Sequence, residues 1–168
     1  SCEDISPHLH CFGDEHAKTP NLDRLARDGV RYAHAFATSP VCSPSRACLI
    51  TGLYATTLGN GPLRCEIPIP PTIGSYAARL REAGYFTSNN SKTDYNLADK
   101  EAFIARAWDR CGGQAHWRQR AAGQRFFSVF NLTHTHQSRA SVYPWRRFEA
   151  MAVKHLSPAE RSDPERVA

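Results

Sequence analysis

Hydrophobic and polar positions follow two periods along this chain, and each change of period predicts an element. Leu22, Leu25 and Ala26 share one helical face behind Thr19 as cap and Pro20 in the first turn, and Gly29 ends that helix. Residues 30–37 set Val30, Tyr32, His34 and Phe36 against smaller or polar neighbours, which predicts a strand with one buried face. Residues 39–44 read as a loop turning into an apolar helix over 45–53, weakened at its end by Gly52, so that Cys42 lies near a helix N-terminus. Gly59, Gly61, Pro62, Pro68, Pro70 and Pro71 make 58–71 a surface loop. Ile73, Tyr76, Ala77 and Leu80 then recur at helical spacing over 72–83, and Gly84 stops the run. A short strand is predicted at 85–88, leading into Asn89-Asn90-Ser91-Lys92, and a further helix at 98–108. Residues 126–132 are almost wholly apolar, as a parallel strand covered on both faces would be, and run into His134-Thr135-His136. Helices alternating with strands predict an α/β fold, a layered and mostly parallel sheet with helices on both faces and polar loops after the strands. From Ser157 onward Pro158, Pro164 and dense charge read as a solvated tail or a severed connection over 157–168.

Composition narrows this picture. With 41% hydrophobic and 22% charged residues in 168, the chain can bury one core and is not disordered in character. No segment approaches the roughly 18 consecutive apolar residues of a membrane span, and no signal-peptide pattern is visible. The net charge of +5 comes from arginines scattered singly or in pairs among acids, which argues against a nucleic-acid surface. Six cysteines occur with no C-x-x-C pair, so a structural zinc site is not expected.

One short run carries most of the chemistry. Cys42-Ser43-Pro44-Ser45-Arg46, followed by Thr51-Gly52, resembles the signature of type I sulfatases, formylglycine-dependent members of the alkaline-phosphatase-like superfamily. Thr19-Pro20-Asn21-Leu22-Asp23-Arg24-Leu25-Ala26 upstream, Pro40-Val41, and the segments around Lys92 and His136 fall in the order that family uses. The resemblance implies that a formylglycine-generating maturation enzyme oxidises Cys42 to the nucleophile. It also implies that Arg46, Lys92 and His136 act on the sulfate group, His136 by contact or by protonating the leaving oxygen. Glu3 and Asp4, with the group at Cys42, would hold a divalent metal, normally calcium, whose preference is for oxygen ligands. A sulfate ester repels nucleophiles, so positive charge around its oxygens is a chemical requirement of such a site.

The sequence departs from the family pattern in places. Glu3 stands where the family more often has Asp, and Asp94 stands two residues after Lys92 where it often has His. Residues 137–168 contain no Asp-Asn pair for the second half of the metal site, and no apolar strand precedes Glu3. Residues 1–156 are therefore expected to be part of a sulfatase catalytic domain, inactive as a fragment. The implied partners are a sulfated small molecule or carbohydrate and the maturation enzyme, with no nucleic acid and no membrane. A periplasmic or secreted location is what the resemblance suggests. Two alternatives stay open: a phosphonate monoester or phosphodiester hydrolase with the same nucleophile, and a non-catalytic remnant.

Overall fold

The computed structural model describes residues 1–138. The predicted tail at 157–168, and the boundary at 156, lie outside the described residues. At the centre is a parallel sheet of three strands in the order β2-β1-β3, with β1 at Phe86–Asn90, β2 at Arg110–Cys111 and β3 at Phe126–Phe130. Strand β1 pairs in register with β3 from Phe86 opposite Phe126 to Asn90 opposite Phe130, and with β2 at Ser88–Arg110 and Asn89–Cys111. The described residues also form five α-helices: α1 (Pro20–Asp28), α2 (Cys42–Thr51), α3 (Ala55–Leu58), α4 (Tyr76–Glu82) and α5 (Lys100–Ala107). This is the expected α/β class with a parallel sheet, in partial form.

Local chemistry accounts for the helix ends. Helix α2 begins three residues before the expected start, at Cys42, because Pro44 falls within its first turn, where a missing N–H costs nothing. Gly52 ends it at φ 74°, a left-handed position, with its N–H donating to the Cys48 carbonyl at 2.8 Å. Helix α4 begins at Tyr76, later than the predicted 72, because Ser75 is extended and its Oγ accepts from Ala78 N at 3.0 Å as an N-cap.

The core joins α2, α4 and α5 to the sheet through Ile50, Ala77, Tyr95, Leu97, Phe103, Ala107 and Trp108. Phe127 stacks on Trp108 with ring centroids 6.4 Å apart, and Tyr76 meets both rings edge-on. Inside this apolar shell, the Trp108 indole N–H donates to the Tyr95 hydroxyl at 3.0 Å. Burial pushes the Tyr95 phenol up to about 12, against the opposing pull of that hydrogen bond and of the Arg46 charge.

Four expectations are corrected. Residues 30–37 form no strand: Val30, Tyr32 and Phe36 are exposed, since their alternation finds no partner strand among the described residues. Strand β3 is half-covered rather than enclosed, with Phe126 and Phe130 exposed at its ends. Strand β1 runs two residues past the predicted 88, through Asn89 and Asn90. The loop over 58–71 does not stay on the surface: Asn60 is wholly buried, and Ile67 makes a parallel bridge to Leu97.

Central strand β1 is polar, with Thr87, Ser88 and Asn89 all buried. Each has partners. Thr87 Oγ1 donates to the Ala107 carbonyl at 3.1 Å, and its N–H goes to Asp109 Oδ2 at 2.8 Å. Ser88 and Ser128 share a hydroxyl contact of 2.7 Å across the β1–β3 pair, and Asn89 Nδ2 reaches the Lys92 carbonyl at 3.2 Å. A strand that buries polar groups must satisfy them in this way, and in doing so it ties the sheet to the loop that follows β1.

Candidate active site

The carboxyl ends of β1 and β3 point to the same place, the position where parallel α/β sheets hold their ligands. The loop after β1 brings Lys92, and the turn after β3 brings His136. The chain's first residues lie beside them: the Ser1 amino group donates to the Phe130 carbonyl at 2.6 Å, Leu132 N donates to the Ser1 carbonyl at 2.8 Å, and Cys2 bridges Leu132 in parallel. Glu3 and Asp4 are thereby set against the end of β3. Helix α2 supplies Cys42 at its first residue and Arg46 one turn later.

Glu3, Asp4, Cys42, Arg46 and His136 line a cavity of about 510 Å³ together with Arg64, and Lys92 meets this group through Glu3. Cys42 Sγ lies 3.9 Å from His136 Nε2. Glu3 Oε2 is 2.7 Å from Lys92 Nζ and 3.6 Å from His136 Nε2, while Glu3 Oε1 is 3.4 Å from Arg46 Nη1. All the side chains in this group are mostly buried, which strengthens their mutual electrostatics relative to a surface cluster.

Arg46 is the best-connected cation. Its Nε donates to the Thr93 carbonyl at 2.8 Å, and its Nη2 donates to the Lys92 carbonyl at 2.5 Å and to Asn131 Oδ1 at 3.0 Å. Asn131 completes the frame: it accepts from Arg46 and from Ser1 Oγ (2.8 Å), and its Nδ2 donates to Asn89 Oδ1 (3.0 Å) and to the carbonyls of Asn90 and Lys92. One buried amide thus links the two strand ends, the chain's first residue and the signature arginine. Sequence reasoning did not single it out, although a polar residue between Phe130 and Leu132 was the available signal.

His136 is oriented from its far side. Ser138 N donates to His136 Nδ1 at 3.2 Å, and the Ser138 hydroxyl lies 2.7 Å from the same atom. A backbone N–H can only donate, so Nδ1 accepts and the neutral ring carries its proton on Nε2, toward Cys42 and Glu3.

The other candidates fall as follows. Asp4 lies at the cavity in a left-handed conformation (φ 55°), and its Oδ2 accepts from Gln137 N at 2.9 Å. His134 is exposed, in a short 3-10 turn. Asp94 faces Arg64, with Oδ1 3.6 Å from Arg64 Nε, and its Oδ2 is buried without a hydrogen-bond partner. Arg64 had not been singled out from the sequence.

Among the described residues, one group of three or more histidine, cysteine and acidic side chains has metal-binding spacing: Glu3, Cys42 and His136, with ligand atoms all within 4.8 Å of one another. For calcium, the fit is one of kind more than of number. Glu3 and Asp4 offer hard carboxylate oxygens, whereas the thiol of Cys42 is a soft donor and would suit calcium only after conversion to an oxygen-bearing group. The described residues supply fewer than the 6–8 oxygens calcium prefers. A larger cavity of about 620 Å³ lies between α4 and α5, and its lining contains no cysteine, histidine or aspartate.

An α/β fold that gathers a cysteine at a helix N-terminus, two cations, two carboxylates and an imidazole at its strand ends defines a polar, anion-directed site. The chain matches the Sulfatase family over residues 2–126 and belongs to that family. It is 40% identical over 148 residues to an ulvan-active sulfatase of Formosa agariphila, a match covering 81% of this chain and 24% of the relative. It is 38% identical over 95 residues to an N-acetylgalactosamine-6-O-sulfatase of Bacteroides thetaiotaomicron, covering 55% of this chain and 19% of that protein. The chain therefore spans about a quarter or less of these relatives' lengths. The solved structure of BT4656 in complex with its substrate D-glucosamine-2-N,6-O-disulfate superposes with a TM-score of 0.64 at 18% identity, covering 90% of this chain and 36% of that one. At that identity the likeness is one of fold.

Proposed function

We propose that the protein hydrolyses sulfate esters or sulfamates, on a sulfated carbohydrate, with position 42 as the nucleophile after oxidation to formylglycine. The observation that carries this is the convergence of Cys42, Arg46, Glu3 and His136 on one cavity, with Lys92 bound to Glu3 at 2.7 Å, so that four separate segments of the chain meet there. Family membership supports the reaction class, and sulfated saccharides appear in the names of relatives and of the structural neighbour's ligand.

The geometry supports a role for each residue. Arg46 and Lys92 set positive charge beside Cys42, where a sulfate's oxygens must sit during attack, so they neutralise the anion that would otherwise repel a nucleophile. Asn131 and the carbonyls of Lys92 and Thr93 hold Arg46 in place, so little reorganisation is needed when charge develops. His136 presents Nε2–H toward position 42 and can donate that proton to the departing ester oxygen. Helix α2 directs its positive end at the same point. A formylglycine hydrate supplies two oxygens on one carbon, the first bonding to sulfur and the second forming the C=O that expels sulfate. Glu3, Asp4 and the oxygen at position 42 would hold calcium, which supplies further positive charge against the sulfate.

The test is mass spectrometry of the full-length protein co-produced with a formylglycine-generating enzyme, paired with turnover of an aryl sulfate. The peptide holding Cys42 is expected to lose about 18 Da, the change from thiol to aldehyde, while Cys48 remains unchanged. An active preparation with an intact Cys42 thiol overturns the mechanism. Faster turnover of an aryl phosphonate than of the aryl sulfate overturns the choice of sulfur over phosphorus.

A further inference from the structure

Around the Cys42 cavity, Arg64 differs from the other cations in how loosely it is held. Arg46 donates to four acceptors and Lys92 is bound to Glu3 at 2.7 Å. The Arg64 side chain is 65% exposed, and its counter-charge Asp94 Oδ1 lies at 3.6 Å, too far for a hydrogen bond. The guanidinium makes no hydrogen bond among the described residues.

The Arg64 backbone, by contrast, is fixed. Its N–H donates at 2.9 Å to the Oγ of Ser43, which is wholly buried and adjoins Cys42, so the Cα is tethered to the turn that carries the nucleophile. The residue adopts φ 53°, a left-handed conformation that side chains other than glycine rarely take. A fixed root and an uncommitted planar fork are what recognition of an anionic group requires. The charge balance points the same way. Glu3 holds Lys92 at 2.7 Å and Arg46 at 3.4 Å, whereas Asp94 stands 3.6 Å from Arg64 with no hydrogen bond, so Arg64 is the cation that a substrate's second anionic group can most readily take over.

We propose that Arg64 binds a second anionic group, a sulfate or a carboxylate, on the molecule whose scissile sulfate sits at Cys42. The preferred substrates are then saccharides carrying at least two negative groups. This rests on the sulfatase reading above, and Asp94 serves as a weak placeholder that keeps the fork near the cavity until substrate replaces it.

The experiment compares the full-length, formylglycine-bearing enzyme with Arg64→Ala, Arg64→Gln and Arg64→Lys on an aryl monosulfate and on a disulfated amino sugar. Loss of a bidentate, charge-assisted pair corresponds to about 10–100-fold in affinity. The ratio of kcat/KM for the disulfated sugar to that for the aryl sulfate is expected to fall by about that factor in Arg64→Ala and Arg64→Gln, mainly through KM, and by less in Arg64→Lys. A ratio within about 3-fold of the parent in both neutral variants, or an equal loss in kcat on both substrates, overturns the assignment while leaving the sulfatase reading intact. No turnover of either substrate by the parent overturns that reading and the assignment with it.

Discussion

Replacing Arg46 by lysine keeps the charge and removes the fork, which makes it the sharpest single probe of the site. The guanidinium serves four acceptors that lie in different directions: Glu3 Oε1, the Lys92 and Thr93 carbonyls, and Asn131 Oδ1. An ammonium carries three N–H donors on a single nitrogen, so it leaves at least one of the four unmet and cannot span the rest as the planar fork does. Each charge-assisted bond contributes about 1.5–3 kcal/mol, and partial relaxation offsets some of the loss, so a destabilisation of about 3 kcal/mol is expected. That corresponds to a fall of about 10 °C in Tm for a protein of this size class. The ion pair with Glu3, at 3.4 Å with both side chains less than 15% exposed, has a gross Coulomb energy of about 5 kcal/mol at an effective dielectric of 20. Desolvation cancels most of that, leaving a coupling of about 1–2 kcal/mol. Urea unfolding of the parent, Arg46→Lys, Glu3→Gln and the double variant measures this coupling directly, and aryl sulfate turnover by Arg46→Lys is expected to fall about 100-fold. An unfolding midpoint for Arg46→Lys equal to the parent's, or a coupling within about 0.5 kcal/mol of zero, would refute the account of Arg46 as the shared anchor of four segments.

His136→Ala is expected to lower turnover about 100-fold on substrates with poor leaving groups and much less on activated aryl sulfates, the pattern of a lost proton donor; equal losses on both would remove the acid role from His136. Tyr95→Phe leaves the buried Trp108 N–H without its acceptor and is expected to cost about 1–3 kcal/mol. Because the Tyr95 phenol is raised from 10 to about 12, an unfolded chain loses this proton first. The stability carried by the neutral phenol is complete below pH 10 and declines as pH rises toward 12, by about 2–3 kcal/mol. Tyr95→Phe should lack this decline, while Tyr76, also raised by burial, titrates in both proteins and cancels. Unfolding curves from pH 9 to 11.5 with parallel slopes for the two proteins would contradict this.

Legibility in the sequence followed the range of the forces involved. The bounds of helix α1, from Pro20 to the residue before Gly29, depend on neighbours within a turn and read correctly, although the Thr19 hydroxyl donates to Asp23 Oδ1 instead of capping a backbone N–H of the helix. Helix α5 and strand β3 were also visible, because runs such as Phe126-Phe127 carry their signal locally. The motif from Cys42 to Arg46 was legible through its resemblance to a family signature. Residues 30–37 misled for the complementary reason: alternation records a surface suited to a partner, and no residue pattern within the segment says where that partner is. Strand β2 has two residues and owes its existence to pairing with Ser88 and Asn89, so it had no periodicity to detect.

The site itself was legible in its charged members and not in its frame. Arg46 lies within the recognisable motif, and Glu3, Lys92 and His136 were named by their order relative to it, as the family resemblance implies. What holds them is a set of uncharged amides, Asn89 and Asn131, whose positions in strand-like segments read from sequence as interruptions of an apolar pattern. A buried asparagine is costly unless its donors and acceptors are all engaged. Its presence at a strand end therefore points to converging polar groups, although burial alone does not, since the wholly buried Asn60 has neither side-chain amide atom hydrogen-bonded. Asn131 meets this condition with partners from β1, from the loop after it, from Ser1 and from α2. The same logic places the site where it is: at the carboxyl end of β3 the Phe130 carbonyl accepts from the Ser1 amino group, and at the end of β1 the Asn90 carbonyl accepts from both the backbone and the side chain of Asn131, so the strand ends recruit the groups that frame the candidate side chains.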